Sequence, residues 1–158
     1  MAIDELPSGV RDWLCDSGWF PGRDIGAEAD EFVDIVVAHF RRQGTPLQPV
    51  EPAVDVLRSF GGLRLVHPQA TRTVMVMEPT LGYEGDATAI AELAGHLGTR
   101  LFPVGYDPIE DGLNLIDEAG RFFQLHWSGA YFLGHDQTDM FERFLMRVSA
   151  PDAEDFFS

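Results

Sequence analysis

The 158-residue sequence sets 26 acidic side chains against 11 basic ones, all of them Arg, for a formal net charge of −15, and it holds one cysteine, Cys15. A lone thiol excludes an intramolecular disulfide and a cysteine-based zinc cluster and points to a reducing compartment; the charge excludes a binder of nucleic acid or anionic lipid and suits either a basic protein partner or plain solubility. Twelve Phe and three Trp in a chain that is 45% hydrophobic exclude a disordered segment, and the length fits one domain over 1–158 with its own core.

The first seven residues lack the basic and apolar runs of a signal peptide, and no stretch reaches the roughly 18 apolar residues of a membrane span. A cytoplasmic location without membrane contact is therefore expected, with 1–7 and 150–158 as flexible ends. Val10, Trp13 and Leu14 then mark one face of a short helix that starts near Ser8 and stops at Gly18. A second helix over 27–43 carries Phe32, Val36 and Phe40 on one face and ends at Gly44-Thr45-Pro46, and a third carries Val54, Leu57 and Phe60 and closes at Gly61-Gly62.

The period then changes from 3.6 to 2. Residues 63–67 and 73–77 read as a hairpin of two short strands. A helix over 86–97 has Asp86 as its expected N-cap and Ile90, Leu93 and Leu97 on its buried stripe. Short strands over 101–106, 113–117, 122–127 and 131–133, separated by Gly-containing turns, predict an antiparallel meander, and a last helix capped by Asp136 runs to about residue 148. The expected class is α+β: a largely antiparallel sheet of about six short strands with helices packed around it.

The sequence offers little chemistry. Gly61-Gly62 and Gly18–Gly22 lack the Lys-Ser/Thr and the strand-before-helix setting of a phosphate loop. The histidines His39, His67, His96, His126 and His135 show no metal-ligand spacing, Cys15 has no adjacent His, and Ser128 lacks a nucleophile elbow. Asp107, Glu110 and Asp111 miss the spacing of a calcium loop and read first as a solvated turn. No catalytic residue, metal ligand or cofactor is expected. The enzymatic alternative is a small metal-dependent hydrolase assembled from Asp107, Asp111 and either His126 or His135.

Three segments carry a family resemblance. They are Gly18-Trp19-Phe20-Pro21-Gly22-Arg23 after the first helix, Ser59-Phe60-Gly61-Gly62-Leu63 between the third helix and the first strand, and Gly98-Thr99-Arg100-Leu101-Phe102-Pro103-Val104-Gly105 followed by Gly120-Arg121-Phe122-Phe123. In this order they resemble the SUKH superfamily of bacterial immunity proteins, and within it the subgroup with a Gly-Trp-x-Pro-Gly-Arg start motif. All three solve backbone and packing problems: Trp19 and Phe20 are expected to be buried anchors, and Arg23 to stack on Trp19 or pair with a carboxylate. The resemblance implies a SUKH-like fold and a non-catalytic protein that neutralises a cognate toxin, often a nucleic-acid-targeting enzyme. The alternative within the same fold is an intracellular regulatory or scaffolding domain.

The partner surface is expected on the acidic half. Residues 80–158 hold 14 acidic and 4 basic groups against 12 and 7 in residues 1–79. Glu84 and Asp86, before the fourth helix, and Asp107, Glu110 and Asp111, between two strands, lie among the turn residues Gly82, Gly85, Pro108 and Gly112 with no Arg nearby in sequence. The sheet around Trp127 and Tyr131 is the second candidate.

Overall fold

The computed structural model describes residues 6–79 and 83–158, so the expectations for residues 1–5 and for Gly82 fall outside the described residues. Three helices come first: α1 (Ser8–Asp16), α2 (Ala27–Arg42) and α3 (Glu51–Phe60). There follow β1 (Arg64–Val66), β2 (Val74–Val76), α4 (Asp86–Leu97), β3 (Leu101–Tyr106), β4 (Leu113–Asp117), β5 (Phe122–His126), β6 (Gly129–Gly134) and α5 (Gln137–Met146). The strands form one sheet in the order β1-β2-β3-β4-β5-β6, every neighbouring pair antiparallel, which is the predicted α+β meander.

The central strands are largely buried on both faces, since all five residues of β4 are buried although successive side chains point opposite ways. Helix α3 rests on β3 and β4, α4 on β3, and α5 on β6 and against α1. An aromatic chain ties the helices together. Trp19 stacks on Phe60 with ring centroids 5.9 Å apart, Phe60 meets the edge of Phe141 at 5.1 Å, and Trp13 lies against Phe141 and Phe144.

The residues of the first two motif segments meet at one corner. After α1 stops, the Trp19 N–H donates to the Leu14 carbonyl and Trp19 turns inward to 2% exposure. Phe20 does not follow. It is 56% exposed, against expectation, because the Arg23 N–H donates back to the Phe20 carbonyl and puts Phe20 on the outer corner of the Pro21-Gly22 turn. Arg23 neither stacks nor pairs with a carboxylate: its guanidinium donates to the Ser59 and Gly61 carbonyls, both at 2.8 Å, closing the C-terminal end of α3. Gly61 is required there, because a Cβ would collide with the Leu57 carbonyl oxygen and lie 2.9 Å from Ile25 Cδ1.

Two turns reflect the same local logic. Asp86 is the first helical residue of α4 rather than its cap; Gly85, at φ 94°, holds the cap position, and the Tyr83 N–H donates to Asp86 Oδ2 at 2.6 Å. At α5 the expected cap is present, Asp136 Oδ1 accepting from the Asp139 N–H at 2.8 Å. Asp139 in turn accepts from the His135 N–H and from Arg143. Residues 150–158 lie along β6. The Phe132 N–H donates to the Pro151 carbonyl, Tyr131 bridges Asp152, and a 3₁₀ turn, Ala153–Phe156, lays Phe156 on Phe132 with ring centroids 4.1 Å apart.

Candidate functional site

The β3–β4 connection is shaped by Asp107. Its Oδ1 accepts from the Ile109 and Glu110 N–H groups at 2.8 and 3.0 Å, and its own N–H donates to the Gly112 carbonyl. This folds the loop back and leaves Asp111 at φ 64°, a left-handed conformation that Asp tolerates better than most residues. A Cβ at Gly112 would lie 2.7 Å from the Gln124 amide nitrogen, so the Gln124 side chain would have to move aside to admit one.

The β5–β6 hairpin stands beside that loop. His126 pairs with Gly129, so Trp127 and Ser128 form a two-residue turn. His126 Nε2 lies 2.8 Å from the Glu110 carbonyl, which can only accept, so this nitrogen carries the proton. Nδ1 then accepts from the Ser128 hydroxyl at 2.7 Å, and the Ser128 oxygen accepts from the Tyr131 hydroxyl at 2.8 Å. The imidazole thus bolts the acidic loop to the hairpin and holds Trp127 outward, 88% exposed.

The start of α4 supplies the third wall. Its lead-in and first turn are tied to the segment that follows α2, Gln43 Nε2 donating to the Tyr83 carbonyl and the Thr45 hydroxyl pairing with that of Thr88. The three walls enclose a groove of about 690 Å³. Its floor is the row Tyr106, Leu113 and Leu125, side by side across β3, β4 and β5, with Ala89 of α4 above it. Asp86, Asp107 and Asp111 form the rim, and Tyr83 and Trp127 stand as aromatic posts.

Three of the five expected partner-binding residues, Asp86, Asp107 and Asp111, therefore line one groove, although they come from segments far apart in the chain. Glu84 and Glu110 are exposed on the same loops but do not line it. The second candidate merges with the first, because Trp127 lines the groove and Tyr131 supports its hairpin. Sequence reading misses Tyr83, Tyr106, Leu113 and Leu125. The one available signal is Trp127-Ser128-Gly129, a large aromatic beside turn residues.

Asp107, Asp111 and His126 also come together as the hydrolase alternative requires, while His135 lies elsewhere, against Phe132 and Phe156. Both His126 nitrogens are committed to Glu110 and Ser128, and one Asp107 oxygen is committed to its loop. Among the described residues, no group of three or more His, Cys, Asp or Glu side chains is placed to hold a metal ion, and no helix is long and apolar enough to cross a membrane. An apolar floor, an acidic rim and two exposed aromatics form a surface chemically suited to contact with another protein.

No curated protein and no solved structure matches this chain. A family model does: the one described as SUKH-3 immunity protein matches residues 6–147, from just before α1 to the residue that closes α5. The match takes in α1 to α5 and β1 to β6, and the chain belongs to the SUKH-3 immunity protein family.

Proposed function

We propose that this protein binds and neutralises a cognate toxin of a bacterial polymorphic toxin system. The toxin is a basic, nucleic-acid-targeting enzyme, and the protein acts in the cytoplasm by occupation alone, without catalysis, metal or cofactor. Its Gly18-Trp19-Phe20-Pro21-Gly22-Arg23 segment supports the narrower reading as a member of the subgroup with that start motif. The observation that carries the reading is the convergence of the two acidic segments on one groove beside an exposed Trp127. An acidic surface steers a basic partner into encounter and sets the salt dependence of association.

The test is a charge change that spares Asp107, since that residue holds its loop. The variant Glu84→Lys/Glu110→Lys/Asp111→Asn should melt like the wild type. It should associate with the toxin encoded beside it about tenfold or more slowly at low salt, with a flattened salt dependence. Unchanged association in the folded variant would remove this surface from consideration.

A further inference from the structure

Resting on the reading that this groove contacts the toxin, we infer that it takes an arginine-bearing segment of that toxin, the guanidinium seated between the Trp127 indole and the carboxylates of Asp107 and Asp111. The rim holds three carboxylates and no Arg, and the chain contains no Lys. Among the described residues, Asp86 Oδ1, Asp107 Oδ2 and both Asp111 oxygens accept no hydrogen bond. His126 presents no free ring N–H to the groove, because Nε2 faces the Glu110 carbonyl and Nδ1 the Ser128 hydroxyl.

The floor decides the kind of occupant. Beside Tyr106, Leu113 and Leu125 the carboxylates face an environment less polar than open water, which strengthens a cation's attraction. A purely apolar segment would instead strip water from carboxylates and leave them unpaired. Between the two basic side chains, the planar and weakly hydrated guanidinium stacks on an indole and bonds a carboxylate edge-on, whereas the ammonium is compact and strongly hydrated. The volume of about 690 Å³ exceeds one side chain, so the residues flanking the Arg lie on the apolar floor.

The probes are Gly-Ser hexapeptides carrying one Arg, one Lys or one norleucine, titrated into the full-length protein. The readout is the Trp127 indole N–H resonance. The buried Trp13 and Trp19 indoles, the first bonded to the Val66 carbonyl, serve as internal controls. The Arg peptide should shift the Trp127 signal saturably and bind about two- to fivefold tighter than the Lys peptide. Norleucine should give no saturable shift, and Asp111→Asn should weaken the Arg peptide several-fold. Equal shifts from all three peptides, or none from Arg, overturn the inference. Neutralisation by Trp127→Ser, scored by co-expression with the toxin, separates the two failures. Lost neutralisation without Arg preference leaves the groove as the interface with a different occupant. Full neutralisation by Trp127→Ser overturns the site itself, whatever the peptides do.

Discussion

The corner built by Trp19, Arg23, Phe60 and Gly61 and the groove built by Tyr83, Asp107 and Trp127 use the same kinds of residue to opposite ends. At the corner an aromatic is buried to 2% exposure and a charged group is spent on backbone carbonyls. At the groove an aromatic is 88% exposed and carboxylate oxygens are left open. Two of the three motif segments build the corner; no residue of the three lines the groove. Motif residues at the corner thus secure the frame, and the proposed partner surface lies in loops, where side chains are less engaged in packing.

The sharpest way to break that contrast is at Trp19. Trp19→Ala should cost about 3–5 kcal/mol in chemical denaturation, as truncation of a large core aromatic does. Trp19→Phe, which also removes a buried indole N–H that has no partner, should cost much less. If the alanine variant kept its stability but lost the toxin, the corner rather than the groove would be the interface.

Arg23→Leu should come next, at about 1–3 kcal/mol for two charged hydrogen bonds to half-buried carbonyls. Arg23→Lys should recover only part, because an ammonium does not span both acceptors with the fork of a guanidinium. Full recovery by Lys, read from urea midpoints, would reduce the role of Arg23 to its charge.

A smaller effect is expected at Asp139. Partial burial raises its carboxyl pKa, but the His135 N–H bond and Arg143 outweigh it, and the group sits below its ordinary 3.8. A depressed folded-state pKa stabilises fully above the unfolded value and is lost as the pH falls through the folded one. The stability gap between wild type and Asp139→Asn should therefore be about 0.5–1 kcal/mol at neutral pH and shrink below about pH 4. A gap independent of pH would mean that charge plays no part at this cap.

The smallest stability effect belongs to the groove. Trp127→Ser should change stability by no more than about 0.5 kcal/mol, since the side chain buries little. A large loss of stability there would make Trp127 part of the frame and erase the contrast.

Helix α4 and strands β3 and β4 begin and end where hydrophobic period and turn residues predict, because both signals are local. The partners of Arg23 lie 36 and 38 residues away, and no spacing encodes them. Asp86, Asp107 and Asp111 are legible as uncompensated charge, but their convergence depends on α4 lying over the meander. Trp127 illustrates a different limit: alternation extends β5 to residue 127, yet the tight pairing of His126 with Gly129 ejects the indole into the turn. The packing of 150–158 rests on Phe156 meeting Phe132, a tertiary contact that an acidic, aperiodic tail does not announce.

The course of that tail along β6 bears on how any partner can hold this protein. An outer strand with free N–H and C=O groups invites another chain to extend the sheet. Here the backbone of β6 at Tyr131 and Phe132 is already engaged by Pro151 and Asp152, and Pro151 has no N–H to offer onward. The opposite margin, β1, is three residues long, and its Val66 carbonyl is taken by the Trp13 indole. With both margins occupied or short, recognition by main-chain ladder has little to grip, and at the proposed interface specificity would fall to side chains presented from the loops.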